Sequence, residues 1–173
     1  MLTIITGSAG SGKSELAEKI ITKAKGQNFY IATMIPSGSE TEKRIERHRL
    51  MRAEKHFETV EKYTNISSLN LPKGCNVLLE CMSNLCANEI FSQYSCDKSP
   101  EDRILKGIDK ILTRASHLAI VTNEVFSDGI QYDSDTVGYI EALGKINSRL
   151  AKKADNVIEC VYGIPVILKG KLL

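Results

Sequence analysis

The sequence predicts an α/β fold: a mostly parallel sheet with helices on both faces and a small antiparallel edge at the C-terminus. Three observations carry this. Short apolar, β-branched runs alternate with helix-periodic stretches along the whole chain. The runs are apolar throughout rather than alternating, as in strands buried on both sides. The last run, 163–169, follows the one at 156–161 after a glycine turn and contains Pro165, which suits an edge strand.

The elements follow in order. Leu2-Thr3-Ile4-Ile5-Thr6 reads as a buried strand. Residues 15–25 place Leu16, Ala17, Ile20, Ile21 and Ala24 at helical spacing, and 28–33 form a second strand. After a loop at 36–39, residues 40–55 form a very polar helix, the one element that does not look like cover for a sheet. Residues 57–60 form a short extended piece, and 76–81 a third clear strand entered from Pro72-Lys73-Gly74. Residues 85–91 read as helix, 95–100 as a loop, and Ser99-Pro100 as a helix start. Residues 101–115 carry Ile104, Leu105, Ile108, Ile111 and Leu112 on one stripe. A strand at 118–125, a helix at 136–154 and a strand at 156–161 complete the set. There is no internal repeat, and the reading is a single nucleotide-binding and transferase domain over 1–173.

Composition narrows the class. The chain has 173 residues, is 42% hydrophobic and has a formal net charge of +2, so no field points to nucleic acid as its partner. The five cysteines, Cys75, Cys81, Cys86, Cys96 and Cys160, form no metal-binding spacing. Their odd number, with no secretory segment ahead of the first strand, predicts a reducing cytoplasm. Cys81 and Cys160 sit in apolar runs and read as core. No run is long enough to span a membrane.

The motif that names a ligand class is Gly7-Ser8-Ala9-Gly10-Ser11-Gly12-Lys13-Ser14, a full G-x-x-x-x-G-K-[ST] loop between a strand and a helix. Its glycines let backbone N–H groups turn toward a phosphate. Lys13 can reach the β and γ oxygens, and the Ser14 hydroxyl can ligate Mg²⁺. In a parallel sheet ligands bind beyond the carboxyl ends of the strands. The informative residues are therefore Thr6-Gly7, Ala32-Thr33, Glu80 and Asn123-Glu124. Glu80 closes an apolar strand where phosphate-loop enzymes keep the acid that orients the metal or its water. Asn123-Glu124 is not the N-K-x-D of guanine-reading switch proteins. On the polar helix Arg44, His48 and Arg52 recur at i, i+4 and i+8 and share one face. An imidazole between guanidiniums is held away from its protonated form and could attack phosphorus. Charge patterning by itself equally gives a solvated basic face. His56 and His117 read as structural.

An ordered set of segments then carries a resemblance. It comprises the glycine loop; Tyr30-Ile31-Ala32-Thr33; Arg44-Ile45-x-x-His48-x-x-x-Arg52; and Thr59-Val60-Glu61. It continues with Leu78-Leu79-Glu80-Cys81, Val121-Thr122-Asn123-Glu124-Val125, and Asn147-x-Arg149-Leu150-Ala151-x-x-Ala154-Asp155. This series resembles the bifunctional adenosylcobinamide kinase/adenosylcobinamide-phosphate guanylyltransferase family of cobalamin biosynthesis, over nearly the whole chain. The resemblance implies a P-loop NTPase fold, RecA-like, assembled as a homotrimer with the histidine-bearing helix near a subunit interface. It implies phosphorylation of adenosylcobinamide by a nucleoside triphosphate, ATP or GTP. GMP then passes from GTP, through a guanylylated histidine, to adenosylcobinamide phosphate. That histidine maps onto His48. The nucleotide contacts map onto Thr6 to Lys13, onto Ala32, Thr33 and Met34, onto Arg49, Leu50, Met51 and Arg52, and onto Glu61 and Glu80, with Mg²⁺ held by Ser14 and Glu80.

The chain departs from the family pattern in three places. Gly10 stands where many members have an arginine, and Phe57 stands for a usual tryptophan. At 126–141 an arginine-rich stretch is replaced by one carrying Asp128, Asp133, Asp135 and Glu141, which bears on the acceptor side of the site. The alternative reading is a related P-loop kinase or NTPase that lacks guanylyl transfer or uses another acceptor. A nucleotide-binding regulatory protein is a third.

Overall fold

A computed structural model describes residues 1–52, 55–92, 99–124 and 132–172, without the side chains of Arg44, His48, Met51 and Arg52. It contains a seven-stranded sheet. The strands are β1 (Leu2–Thr6), β2 (Asn28–Ala32), β3 (Phe57–Glu61), β4 (Cys75–Glu80), β5 (Ala115–Val121), β6 (Asn156–Val161) and β7 (Ile164–Lys169). Their spatial order is β3-β2-β4-β5-β1-β6-β7; every pairing is parallel except β6 with β7. One strand, β5, therefore lies between β1, which feeds the glycine loop, and β4, which ends at Glu80. This is the RecA-like arrangement. It opens a crevice of one strand's width beyond the ends of β1 and β4, where ligands bind in such sheets.

The helices are α1 (Lys13–Thr22), α2 (Gly38–Arg52), α3 (Met82–Phe91), α4 (Pro100–Leu112) and α5 (Ser134–Lys153), and Ile66–Ser68 forms a 3-10 turn. They cover both faces. On one face Ala17, Ile20 and Ile21 of α1 pack on Ile5, Tyr30, Leu78, Val121 and Ile158. On the other, Leu85, Ile104, Ile108, Leu143 and Ile146 from α3, α4 and α5 pack on Ile4, Ile31, Val77 and Ile120. Each fully buried Ile or Leu contributes roughly 1.5–3 kcal/mol, so these two layers dominate the stability of the sheet.

Local chemistry sets the helix ends. Ser99 accepts a hydrogen bond from the backbone N–H of Asp102 at 3.2 Å, with Pro100 in the first turn. Asp133 caps α5, accepting from the backbone N–H of Asp135 at 3.0 Å and of Thr136 at 2.9 Å. Those bonds hold its carboxyl below the usual range, the Thr136 N–H contributing most. One acid of the divergent 126–141 stretch is thus a helix cap. Residues 126–131 of that stretch lie outside the described residues.

Several boundaries differ from the sequence reading. Helix α4 ends at Leu112 rather than at 115, and β5 starts at Ala115 and stops at Val121. Leu118 pairs with Leu2 in register, so β5 ends level with β1, leaving Asn123 and Glu124 beyond the sheet. Helix α1 begins at Lys13, straight out of the loop, because Gly12 takes φ 91° and turns the chain into it. The 3-10 turn carries no hydrophobic period, so nothing in the sequence pattern announces it.

Helix α2 matches its reading as the odd element. Among the described residues it makes no extended packing contact with the sheet, and Glu42, Lys43, Glu46, Arg47 and Leu50 are exposed.

Candidate nucleotide site

The glycine loop rests on the β6–β7 hairpin. The carbonyl of Ser11 accepts from the Gly163 N–H at 2.8 Å and from the Cys160 thiol at 3.0 Å. At Gly7, φ is 151° and a Cβ would lie 2.6 Å from both the Cys160 carbonyl oxygen and Ser11 Oγ, so only glycine fits. Lys13 lies back along the loop, its Nζ donating to the Ser8 carbonyl at 2.9 Å. Ser8, Ala9 and Gly10 form the exposed rim of the loop, and Thr6 ends β1 half-buried beneath it.

A cleft opens beside this loop. Lys13, Ser14, Ala32, Met34, Arg49, Glu61 and Glu80 line it together, drawn from α1, α2 and the ends of β2, β3 and β4. At its floor the Ser14 hydroxyl donates to Glu80 Oε1. Glu80 Oε2 is buried and, among the described residues, has no hydrogen-bond partner. A buried carboxylate oxygen next to a serine hydroxyl, at the foot of a phosphate loop, suits a hard divalent cation or its bound water. Among the described residues no three His, Cys, Asp or Glu side chains cluster as a metal-binding group.

Thr33 does not line the cleft but braces it. Its N–H donates to the Glu80 carbonyl at 3.0 Å; its hydroxyl oxygen accepts from the Cys81 N–H at 2.7 Å and donates to the Cys81 carbonyl at 2.8 Å. Asn88 on α3 donates to the carbonyls of Thr33 at 2.8 Å and Tyr63 at 3.0 Å, stitching the ends of β2 and β3.

The opposite wall is Glu61. It accepts from the Tyr63 hydroxyl at 2.8 Å and from Arg49 at 2.5 Å. These two bonds, Tyr63 first, hold its carboxyl below the usual range. Burial and the facing carboxylate push the Tyr63 hydroxyl up. Ile45 and Arg49, one turn apart on α2, both face this cleft. His48 lies on the same helix, as do Arg44, Met51 and Arg52, whose side chains are outside the described residues; Leu50 is 68% exposed.

Sequence reasoning misses Tyr30, Ile45, Thr59, Tyr63, Cys81 and Asn84 as lining residues. Cys81, expected in the core, is half-buried on the cleft, because β4 stops at Glu80 and the chain turns there into α3. Asn84 is detectable in principle: a helix that follows a strand-end acid aims its first turn at the crevice. Tyr63 carries no such signal, since its role depends on reaching back to Glu61. Asn123 lines the cleft as expected, while donating to Ser83 Oγ at 2.6 Å. Two residues of the resembling segments have structural partners: Asn147 accepts from the Thr122 hydroxyl at 2.9 Å, and Asp155 accepts from the Leu2 N–H at 2.7 Å.

Residues 3–168 match a family described as cobinamide kinase / cobinamide phosphate guanyltransferase. The bifunctional adenosylcobalamin biosynthesis protein CobU of Escherichia coli is 32% identical, over 98% of this chain and 100% of its own length. The protein of the same name from Salmonella typhimurium is 31% identical, again over 98% and 100%. The bifunctional adenosylcobalamin biosynthesis protein CobP of Pseudomonas aeruginosa is 25% identical over the full length of both. Among solved structures, the P4 protein from bacteriophage phi6 in complex with ADP aligns with 95% of this chain and 52% of that one, at 12% identity and a TM-score of 0.45.

Proposed function

This chain belongs to the cobinamide kinase / cobinamide phosphate guanyltransferase family, and on that premise we propose that one domain, residues 1–173, performs both reactions in the cleft. The observation that carries this is the convergence of Lys13, the Ser14–Glu80 pair and the Arg49–Glu61 pair on a single cavity. In the first step the hydroxyl of adenosylcobinamide's aminopropanol arm attacks the γ-phosphorus of a nucleoside triphosphate. The bond to the β-phosphate breaks, and the hydroxyl proton leaves to solvent or a base. Lys13 and the loop amides hold the triphosphate and offset the charge that builds on its oxygens. Ser14 and Glu80 would hold Mg²⁺, which when bound neutralises charge on the β and γ oxygens.

In the second step the ring nitrogen of His48 attacks the α-phosphorus of GTP, an N–P bond forms and pyrophosphate leaves. A phosphate oxygen of the cobinamide phosphate then attacks the same phosphorus, the N–P bond breaks, and adenosylcobinamide-GDP and free His48 result. The reading is supported by Ile45, which lines the cleft three residues before position 48 on the same helix. Arg49, and on this reading Arg44 and Arg52, stabilise the charged phosphate in transit.

The reading includes a cytoplasmic homotrimer. Self-association is supported by β7, an edge strand exposing Ile164, Val166, Ile167 and Leu168, and no described helix is long and apolar enough to cross a membrane. The test uses GTP labelled on the α-phosphate, with Mg²⁺, followed by denaturing electrophoresis. Acid-labile label is expected on the wild type, none on His48→Ala and none from γ-labelled GTP. A folded wild type that binds GTP yet takes no α-label overturns the guanylyl-transfer half and leaves a P-loop kinase or NTPase.

A further inference from the structure

The hairpin that braces the phosphate loop ends in an exposed aromatic ring to which the chemistry above gives no part. Strands β6 and β7 pair Val161 with Ile164, so Tyr162 and Gly163 form a two-residue turn. Their φ angles are 49° and 79°, both left-handed, as a type I′ turn requires. Asparagine, aspartate and glycine suit the first position of such a turn, and a bulky aromatic side chain is an outlier there. Tyr162 is also 94% exposed, so packing within the chain does little to offset that conformation. Strain of this kind gathers at ligand sites.

The turn is fixed to the loop. The Gly163 N–H and the Cys160 thiol both donate to the Ser11 carbonyl, at 2.8 and 3.0 Å. A Cβ on Gly12 would lie 3.3 Å from Gly163 Cα, so the two backbones are in contact. Tyr162 therefore keeps its place relative to whatever the loop holds. It stands on the side of the loop away from the cleft. The cleft lies toward β5 and β4, and among the described residues none of its lining comes from β6 or β7. Strand β6 flanks β1 on the opposite side.

We propose that Tyr162 is a stacking platform for the purine base of the nucleoside triphosphate held on the phosphate loop, which places the base outside the cleft, on the β6–β7 side. The proposal rests on the reading of the loop as a triphosphate cradle and deepens it for the phosphoryl donor of the first step. The γ-phosphate of that donor is turned to Lys13 and the Ser14–Glu80 pair, in the cleft. The nucleoside is at the other end of the triphosphate, and the hairpin tip offers it an aromatic face beside the loop. The wall of Arg49 and Glu61 is then left to the acceptor and the second step. Stacking of this kind accepts adenine and guanine alike, because every base has a π-face.

The experiment measures binding of ATP, GTP and inorganic tripolyphosphate, each with Mg²⁺, to wild type, Tyr162→Asn, Tyr162→Phe and Tyr162→Trp. Tyr162→Asn should bind ATP and GTP about 5- to 100-fold more weakly, with tripolyphosphate affinity kept within about twofold. Its Tm without ligand should not fall, since asparagine suits the turn. Tyr162→Phe keeps the ring face and should stay within about twofold of wild type for every ligand. The chain holds no tryptophan, so the indole of Tyr162→Trp reports alone. Its fluorescence should change with ATP and GTP and not with tripolyphosphate. Wild-type nucleotide affinity in Tyr162→Asn overturns the proposal. So does an equal loss of tripolyphosphate affinity, which would mean that the turn acts only by shaping the loop. A changed oligomeric state at unchanged affinity makes Tyr162 a subunit contact and overturns it too. Should Tyr162→Asn fail to fold, Tyr162→Trp decides, and an indole that bound nucleotide leaves unaltered overturns the platform. A wild type that binds neither nucleotide nor tripolyphosphate fails the cradle reading itself, and the platform with it.

Discussion

Replacing Glu80 with glutamine should move the free and the ligand-bound protein in opposite directions. The amide keeps the shape of the side chain and an oxygen to accept from Ser14 Oγ, as Glu80 Oε1 does. It removes the negative charge from Oε2, which is buried with no hydrogen-bond partner among the described residues. An unsatisfied buried group costs about 1–3 kcal/mol, more when charged, so the free variant should be no less stable than wild type. The bound state behaves otherwise. Saturation at about 100 times Kd stabilises wild type by roughly 2.7 kcal/mol. For a chain of this size that is about 5–11 °C in Tm. Losing a group that orients a metal or its water costs about 10- to 100-fold in affinity. The same GTP and Mg²⁺ would then stabilise the variant by roughly 0.4–1.4 kcal/mol. That corresponds to about 1–6 °C. Thermal unfolding with and without Mg²⁺ and GTP reads both arms, and chelating Mg²⁺ should bring wild type down to the variant's response. A full wild-type shift in Glu80→Gln would refute the assignment of Glu80 to the metal. A free variant several degrees less stable than wild type would refute the account of Oε2 as uncompensated.

Other expectations follow from the same geometry. Lys13→Ala should abolish both activities, whereas His48→Ala should abolish guanylyl transfer and spare at least part of the kinase activity, measured by product formation with each half-reaction's substrates. Glu89 on α3 is 4% exposed and accepts from Arg103 Nε at 2.8 Å and the Asn65 N–H at 2.6 Å. Glu89→Ala, which removes the buried carboxylate that Arg103 Nε and the Asn65 N–H share, should cost about 3–5 kcal/mol, visible as a large fall in the urea midpoint with activity per folded molecule retained. Burial pushes the Cys86 thiol up to about 12, while in the unfolded chain it ionises near 8.5. Between those values the native state holds the extra proton, so stability is fully present below about pH 8.5 and falls as pH rises toward 12. Urea unfolding at pH 8 and pH 10 should show this loss, and Cys86→Ala, less stable at pH 8, should show less of it.

The strands of this protein were legible in the sequence because burial on both faces forces continuous β-branched runs, as in Ile4-Ile5 and Val77-Leu78-Leu79, which no polar register can imitate. The phosphate loop was legible because its function is carried by contiguous backbone, so Gly7 to Ser14 spell it out without reference to anything distant. The oddity of α2 was also visible, since a helix without an apolar stripe has nothing to bury. The sequence could not give the facts that join residues far apart in the chain. Only the order β4-β5-β1 brings Glu80 to Ser14, across 66 positions. Tyr63, Asn88 and Asn123 act through hydrogen bonds whose partners depend on where neighbouring strands end. Glu18 looks like one more solvated acid on an amphipathic helix, until the chain leaving α2 lays Lys55 over it. Local periodicity records which side of an element is buried. It holds no record of which charge arrives from elsewhere, because one ion pair leaves no repeat in the sequence.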